Sequence, residues 1–214
     1  MALATKAFDA LRDGRLTMIW QSIASADAPQ RILYHEALAR LIDGHGNMLP
    51  IGPVVEALER LRLVRAFDHE VVASVLDELE AGQGEVLGVN ISGSSARIDS
   101  WWTSLFERLK RRDVARRLVI EITETAALAP EAPAFVAALR KLGCRVALDD
   151  FGTGHASLRA ALALSPDIIK IDGFFIRNAG LSAAGRRMFT HLVGLAGSIA
   201  DTVIIEGIEA SEQE

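Results

Sequence analysis

The residues of this chain best suited to do chemistry are carboxylates and an amide set at or near the ends of apolar runs. Glu36 follows Ile32-Leu33-Tyr34, Asn90 follows Val86-Leu87-Gly88-Val89, and Glu121 sits in Leu118-Val119-Ile120-Glu121-Ile122. Asp149 and Asp150 follow Val146-Ala147-Leu148, and Glu206 follows Val203-Ile204-Ile205. If the apolar runs are parallel strands, their C-terminal ends share one face and these donors converge there. Carboxylates crowded together raise one another's pKa unless a cation lies between them. Oxygen donors without His or Cys suit a hard ion, Mg²⁺ or Mn²⁺, better than Zn²⁺. Adjacent aspartates let one carboxylate bridge two ions while its neighbour serves the second, an arrangement suited to phosphodiester cleavage. Lys170, in Asp167-Ile168-Ile169-Lys170-Ile171-Asp172, would add a point charge for a phosphate or an attacking hydroxide. Any one strand-end acid is as readily a helix N-cap; it is the coincidence of five such runs that points to a shared centre. Asp149-Asp150-Phe151-Gly152-Thr153-Gly154 places two glycines around a hydroxyl directly after the acids, which describes a sharp, mobile loop.

The elements that must carry these residues follow from the alternation of short β-branched apolar runs with longer helix-period stretches. Strands are expected at 16–23, 31–38, 86–91, 117–122, 144–148, 167–171 and 202–206. Helices are expected at 2–13, 51–64, 66–81, 97–111, 131–142, 155–163 and 183–200. Seven strands separated by helices, with no Pro/Ser-rich linker and no repeat, predict a single α/β domain built on a parallel sheet. A (β/α) barrel and a doubly wound sheet both satisfy this pattern. Gly88, Gly93 and Gly143 do not form G-x-G-x-x-G, and no P-loop lysine is present, which weakens the nucleotide-fold alternative.

Composition narrows the function classes. A formal charge of −5 argues against a sequence-independent DNA binder, so no DNA partner is expected and an anionic ligand would need local cations or metal. Cys144 is the only cysteine and lies in an apolar run, so disulfides are excluded and a buried structural thiol is expected. No apolar stretch reaches the roughly 18 residues of a membrane span, and the N-terminus lacks a signal-peptide core, so the chain reads as cytoplasmic. The histidines His35, His45, His69, His155 and His191 show no ligand spacing.

Taken together, the motifs resemble the EAL-domain phosphodiesterases, which hydrolyse the bacterial messenger cyclic di-GMP to linear pGpG. Glu36-Ala37-Leu38-Ala39-Arg40 is similar to E-x-L-x-R, Val89-Asn90-Ile91-Ser92 to VN(L/I)S, and Glu121-Ile122-Thr123-Glu124 to E-x-T-E. Asp149-Asp150-Phe151-Gly152-Thr153-Gly154-His155-Ala156-Ser157-Leu158 resembles DDFGTGYSSL, Lys170-Ile171-Asp172 resembles KID, and Glu206-Gly207-Ile208-Glu209 resembles EGVE. The resemblance covers nearly the whole of residues 1–214 and implies a TIM-like (β/α) barrel. Relative to the family, the sequence stops before a last helix and a strand carrying Gln-Gly-Tyr, so a barrel without its last βα element is expected. His155 stands where the family has Tyr, Glu56 where it has Pro, and Gly173 where it has Arg.

Carried over by position, the resemblance implies a first metal on Glu36, Asn90, Glu121 and Asp149, and a second on Asp149, Asp150 and Glu206. The ions would be Mg²⁺ or Mn²⁺, with Ca²⁺ inhibiting. It gives Lys170 the positioning or activation of the nucleophilic water and Glu209 a supporting acidic role at the site. Gln21, Arg40 and Asp172 would contact the substrate, while Glu124 and Thr153 would hold the acidic loop. It further implies bacterial signalling, pairing into a homodimer near that loop, and a regulatory domain or partner outside this chain. The alternative within the family is a catalytically weak cyclic di-GMP receptor or protein-interaction module; outside it, an unrelated barrel hydrolase acting on another phosphate ester.

Overall fold

The computed structural model describes residues 2–82, 84–123, 127–153 and 157–208. Helix α1 (Ala2–Arg12) leads into strands β1 (Leu16–Ala24) and β2 (Ile32–Leu41), then helices α2 (Ile51–Arg60) and α3 (Val64–Ala81). Strand β3 (Leu87–Ser92), a 3-10 turn at Gly93–Ser95, α4 (Ser100–Leu109) and the single turn α5 (Arg112–Ala115) precede β4 (Leu118–Thr123). The chain continues through α6 (Ala132–Leu142), β5 (Arg145–Phe151), α7 (Ser157–Leu164), β6 (Ile168–Ile171), α8 (Gly173–Leu181), α9 (Ala183–Gly197) and β7 (Thr202–Ile205). The strands form one curled sheet in sequence order, β1 to β7, as in a TIM-like barrel.

Three expectations need correction. The sheet is parallel from β2 onward, but β1 runs antiparallel to β2 with Gln21 opposite Glu36. Residues 25–31 are too few for the crossover that a parallel pair requires, which takes a dozen or more. Strand β2 also extends past residue 38, so Glu36 lies mid-strand; only His35, Glu36 and Ala37 pair with β3. Helix α8 was not expected, because Gly173-Phe174-Phe175-Ile176 offers contiguous apolar residues where an amphipathic period would be looked for. Asp172 starts it by accepting a hydrogen bond from the Phe174 amide at 2.6 Å.

Alternation along each strand sorts residues onto two faces. Outward residues such as Leu87, Val89, Ile91, Leu118, Ile120, Ile122, Val146, Leu148, Ile169 and Ile171 join the helices in the main apolar core. The helices supply its other wall; α3 alone contributes Phe67, Val71, Val72, Val75, Leu76 and Leu79. Inward residues Tyr34, Val119, Ala147, Ile168 and Ile204 form a second, smaller apolar layer inside the sheet's curve. Two residues further along the same strands come Glu36, Glu121, Asp149, Lys170 and Glu206. The apolar layer is therefore the floor on which a polar layer stands. Cys144 is buried, and burial pushes its thiol up to about 12, which leaves it without nucleophilic character near neutrality.

Candidate metal centre

The polar layer is held from below and behind. Asn90 on β3 faces Glu121 on β4 in register, and Gly88 sits beside Glu36. Gly88 has no room for a side chain, since a Cβ there would stand 2.3 Å from Glu121 Oε1 and 2.6 Å from the Tyr34 ring. Just past Asn90, the Ser92 amide donates to Asp68 on α3 at 3.0 Å and the Ser92 hydroxyl donates to Glu59 on α2 at 2.7 Å. These bonds pin the C-terminal end of β3 to the helical layer.

Lys170 occupies the middle of the layer. Its side chain has no exposed surface, and its Nζ lies 2.6 Å from Glu121, 2.8 Å from Glu206, 3.0 Å from Glu36 and 3.2 Å from Asp149. Asn90 Nδ2 donates to the other oxygen of Glu36 at 2.6 Å. Burial alone disfavours the ammonium, yet Glu121, Asp149, Glu36 and Glu206 together hold its pKa above the ordinary lysine value. The acids respond in the opposite sense to their own burial. Desolvation, reinforced by the charges of Glu36 and Asp149, pushes Glu121 up to about 8 against the pull of Lys170. Glu206 is pushed up to about 7 by burial and by Asp149, and burial also raises Asp149.

One lysine does not satisfy this donor set. Asn90 Oδ1 and Glu121 Oε1 are buried without a hydrogen-bond partner among the described residues. Oxygens of Glu36, Glu121 and Asp149 lie within 4.8 Å of one another, and so do oxygens of Asp149, Asp150 and Glu206. The two groups share Asp149, and both consist of hard oxygen donors. Idle buried oxygens and raised carboxyl pKa values are what a cluster shows when positive charge is in short supply, so the residues fit divalent metal.

The acidic end of β5, where its register with β6 shifts between Leu148 and Phe151, is locally strained. Asp150 adopts φ +57°, a left-handed conformation that Asp tolerates better than most residues, and Gly152 follows at φ +100°. The Asp150 amide donates to Asp149 Oδ1 at 2.9 Å, while the Thr153 hydroxyl and amide donate to the Asp150 carbonyl at 2.9 and 3.2 Å. Thr153 thus closes the turn that aims both aspartates.

The structure brings together Glu36, Asn90, Glu121, Asp149, Asp150, Lys170 and Glu206. Gln21 is exposed across from Glu36, and Arg40, four residues on, shares its face of β2, donating to the Ala39 carbonyl at 2.9 Å. Asp172 serves as the N-cap of α8, so one of its oxygens is already engaged. Glu124, His155 and Glu209 lie outside the described residues. Sequence reasoning did not single out Tyr34 and Gly88 of the floor or Asp68 behind β3. The available signal was a lone tyrosine two residues before a candidate ligand, on the same face of its strand.

A curled, mostly parallel α/β sheet that gathers five acids, an asparagine and a lysine toward the C-terminal ends of its strands defines a TIM-like barrel with a centre able to hold divalent metal. More particularly, residues 5–214 match the EAL domain family, and the chain belongs to it. Cyclic di-GMP phosphodiesterase PdeB of Shewanella oneidensis is 29% identical over 213 residues, which are 96% of this chain and 24% of that protein. Probable cyclic di-GMP phosphodiesterase PdeA of Escherichia coli is 29% identical over 212 residues, 96% of this chain and 28% of that protein. The chain spans about a quarter of the length of these curated relatives. Among solved structures, the EAL domain protein from Listeria monocytogenes aligns with a TM-score of 0.78 at 26% identity, covering 98% of this chain and 85% of that one. The Xanthomonas citri FimX EAL domain in complex with c-diGMP aligns at 0.81 and 20% identity, covering 99% and 85%, a likeness of fold. No helix among the described residues is long and apolar enough to cross a membrane.

Proposed function

We propose that this chain is a metal-dependent phosphodiesterase that opens cyclic di-GMP to linear pGpG, with residues 1–214 as one EAL-type barrel unit. The observation that carries the reading is the pair of carboxylate groups hinged on Asp149, with unpartnered buried oxygens on Glu121 and Asn90. The names of the two relatives support the substrate. Glu36, Asn90, Glu121 and Asp149 would hold one ion and Asp149, Asp150 and Glu206 the other, Mg²⁺ or Mn²⁺ serving and Ca²⁺ inhibiting. When bound, such ions supply positive charge to the phosphoryl oxygens and make water acidic enough to act as a nucleophile near neutrality.

The chain's own residues orient and exclude. Lys170, already poised among four carboxylates, keeps its proton and orients the attacking water as a fixed positive charge. Glu36, Asp149 and Glu206 would act through the ions they hold, and burial raises the carboxyls of Asp149 and Glu206 where no cation compensates them. Arg40 offers a planar fork to a phosphate or a guanine edge, and Gln21 and Asp172 would be further substrate contacts. Thr153 and Glu124 would hold the acidic turn, and Glu209 would have a supporting acidic role. A cytoplasmic setting, a homodimer formed near the acidic turn and a regulatory domain or partner outside this chain belong to the same reading.

A second reading, a cyclic di-GMP receptor or interaction module with little turnover, is favoured by one observation: Lys170 already ties four of the carboxylates together without metal. Protein loaded with Mg²⁺ or Mn²⁺ should release pGpG, and Glu36→Ala should abolish release. Absence of product from the metal-loaded full-length protein sinks the enzymatic reading. Calorimetry with cyclic di-GMP in chelator and in Mg²⁺ separates the two, since tight binding indifferent to metal belongs to a receptor.

A further inference from the structure

Beneath the carboxylates lies a polar group that the proposed mechanism does not use. Tyr34 is the only tyrosine in the chain. Its side chain is 1% exposed, and its hydroxyl has no hydrogen-bond partner among the described residues. A phenol buried among Val119, Ala147, Ile168 and Ile204 would be replaced at no loss by phenylalanine, unless its oxygen serves something above that floor.

Directly above it is Glu121, fully buried, with Oε2 drawn to Lys170 at 2.6 Å and Oε1 idle. The ring and the idle oxygen converge on one spot, because a Cβ on Gly88 would lie 2.6 Å from Tyr34 Cε2 and 2.3 Å from Glu121 Oε1. Glycine at 88 is what leaves the space between them open. A phenol is protonated near neutral pH, so toward a carboxylate it can only be a donor. Ligating carboxylates ordinarily accept such outer hydrogen bonds, which fix their orientation.

Resting on the metal reading of the site, we infer that Tyr34 is a positioning residue: in the metal-loaded centre its hydroxyl donates to Glu121 Oε1 and fixes that ligand. A cation shared by Glu36, Glu121 and Asp149 fixes one oxygen of Glu121. The other, which has no hydrogen-bond partner among the described residues, is left to the hydroxyl of the ring whose edge lies beside it. Gly88 and Tyr34 thus act as one device, the absent side chain admitting the ring that carries the donor.

The test is Mn²⁺ affinity without nucleotide, by calorimetry or electron paramagnetic resonance, on wild type and Tyr34→Phe. Affinity should fall about tenfold in the variant, the usual scale for loss of an outer partner. In chelator, Tyr34→Phe should be as stable as wild type or more so, because an orphan hydroxyl is removed. The Raman doublet of the single tyrosine in wild type should change on adding Mg²⁺ to that of a hydroxyl donating to carboxylate; this second measurement is independent of how the variant folds. Equal Mn²⁺ affinity in the two proteins, or a doublet indifferent to Mg²⁺ in protein that binds it, overturns the inference and leaves the phosphodiesterase reading intact. Wild type that takes up no Mn²⁺ overturns the metal reading and this inference with it.

Discussion

Replacing Lys170 by methionine keeps most of the side-chain volume and removes the charge, so it isolates what the ammonium does for the acidic layer. Four carboxylates stand 2.6–3.2 Å from Nζ. At an effective dielectric constant near 20, each such contact is worth roughly 5 kcal/mol of attraction. Burying the ions opposes this by several kcal/mol apiece, so the sum of contacts is not the net effect. Removal of one partner from a buried network costs about 3–5 kcal/mol, chiefly because the remaining charges are left uncompensated. For a chain of this size that corresponds to a fall in Tm of roughly 6–20 °C, taking about 2–4 °C per kcal/mol. The assay is thermal and urea unfolding of Lys170→Met and wild type, in chelator and in excess Mn²⁺. Metal should restore part of the loss in the variant, since a divalent ion supplies the missing charge to the same oxygens. The loss should also deepen with rising pH. Without the ammonium, Glu121, Asp149 and Glu206 sit still further above their unfolded pKa values, and acids raised in the folded state lose stability as pH climbs toward the folded pKa. A loss below about 1 kcal/mol in chelator would refute the reasoning, because the network would then merely break even with its burial.

Gly88→Ala should destabilise by about 1–3 kcal/mol in urea unfolding, because the new methyl must displace either the Tyr34 ring or Glu121; a neutral result would mean that both move freely. Asp68 is buried against Glu59 and the Ser92 amide, and burial pushes its carboxyl up to about 7. Being raised in the folded state, it withholds stability as pH rises from about 4 to 7, by up to roughly 4 kcal/mol. Asp68→Asn should flatten that part of the pH–stability curve, and identical curves for the two proteins would exclude Asp68 as its source. Asp150→Gly should be more stable than Asp150→Ala by about 1 kcal/mol, since only glycine relieves the left-handed backbone; equal urea midpoints would show that the turn relaxes.

Much of the centre could be read from residue order because strands advertise themselves by alternation. Glu121 within Val119-Ile120-Glu121-Ile122 and Lys170 within Ile168-Ile169-Lys170-Ile171 are charges where only buried partners make sense. What alternation cannot give is which residue answers which across the sheet. The sequence suggests a point charge at Lys170 for an incoming anion, whereas the structure engages that charge with four acids from β2, β4, β5 and the end of β7. The antiparallel entry of β1 has its mark in the seven residues from 25 to 31, a connection too short for a parallel crossover. Helix α8 was hidden because Phe174, Phe175 and Ile176 run together, and its cap, Asp172, was already assigned to substrate. The dependence between Tyr34 and Gly88 spans two strands and has no local mark at all.

The two-residue offset between floor and ligands also limits how this protein can change. Each inward strand position is either foundation or instrument, and neighbours along the backbone never exchange those duties without turning to the opposite face. Inserting or deleting one residue in β4 would swing Glu121 into the helical layer and bring Ile120 or Ile122 to the centre, abolishing support and chemistry together. Variation in length is therefore confined to the connections, whereas the strands can drift only by substitution in place.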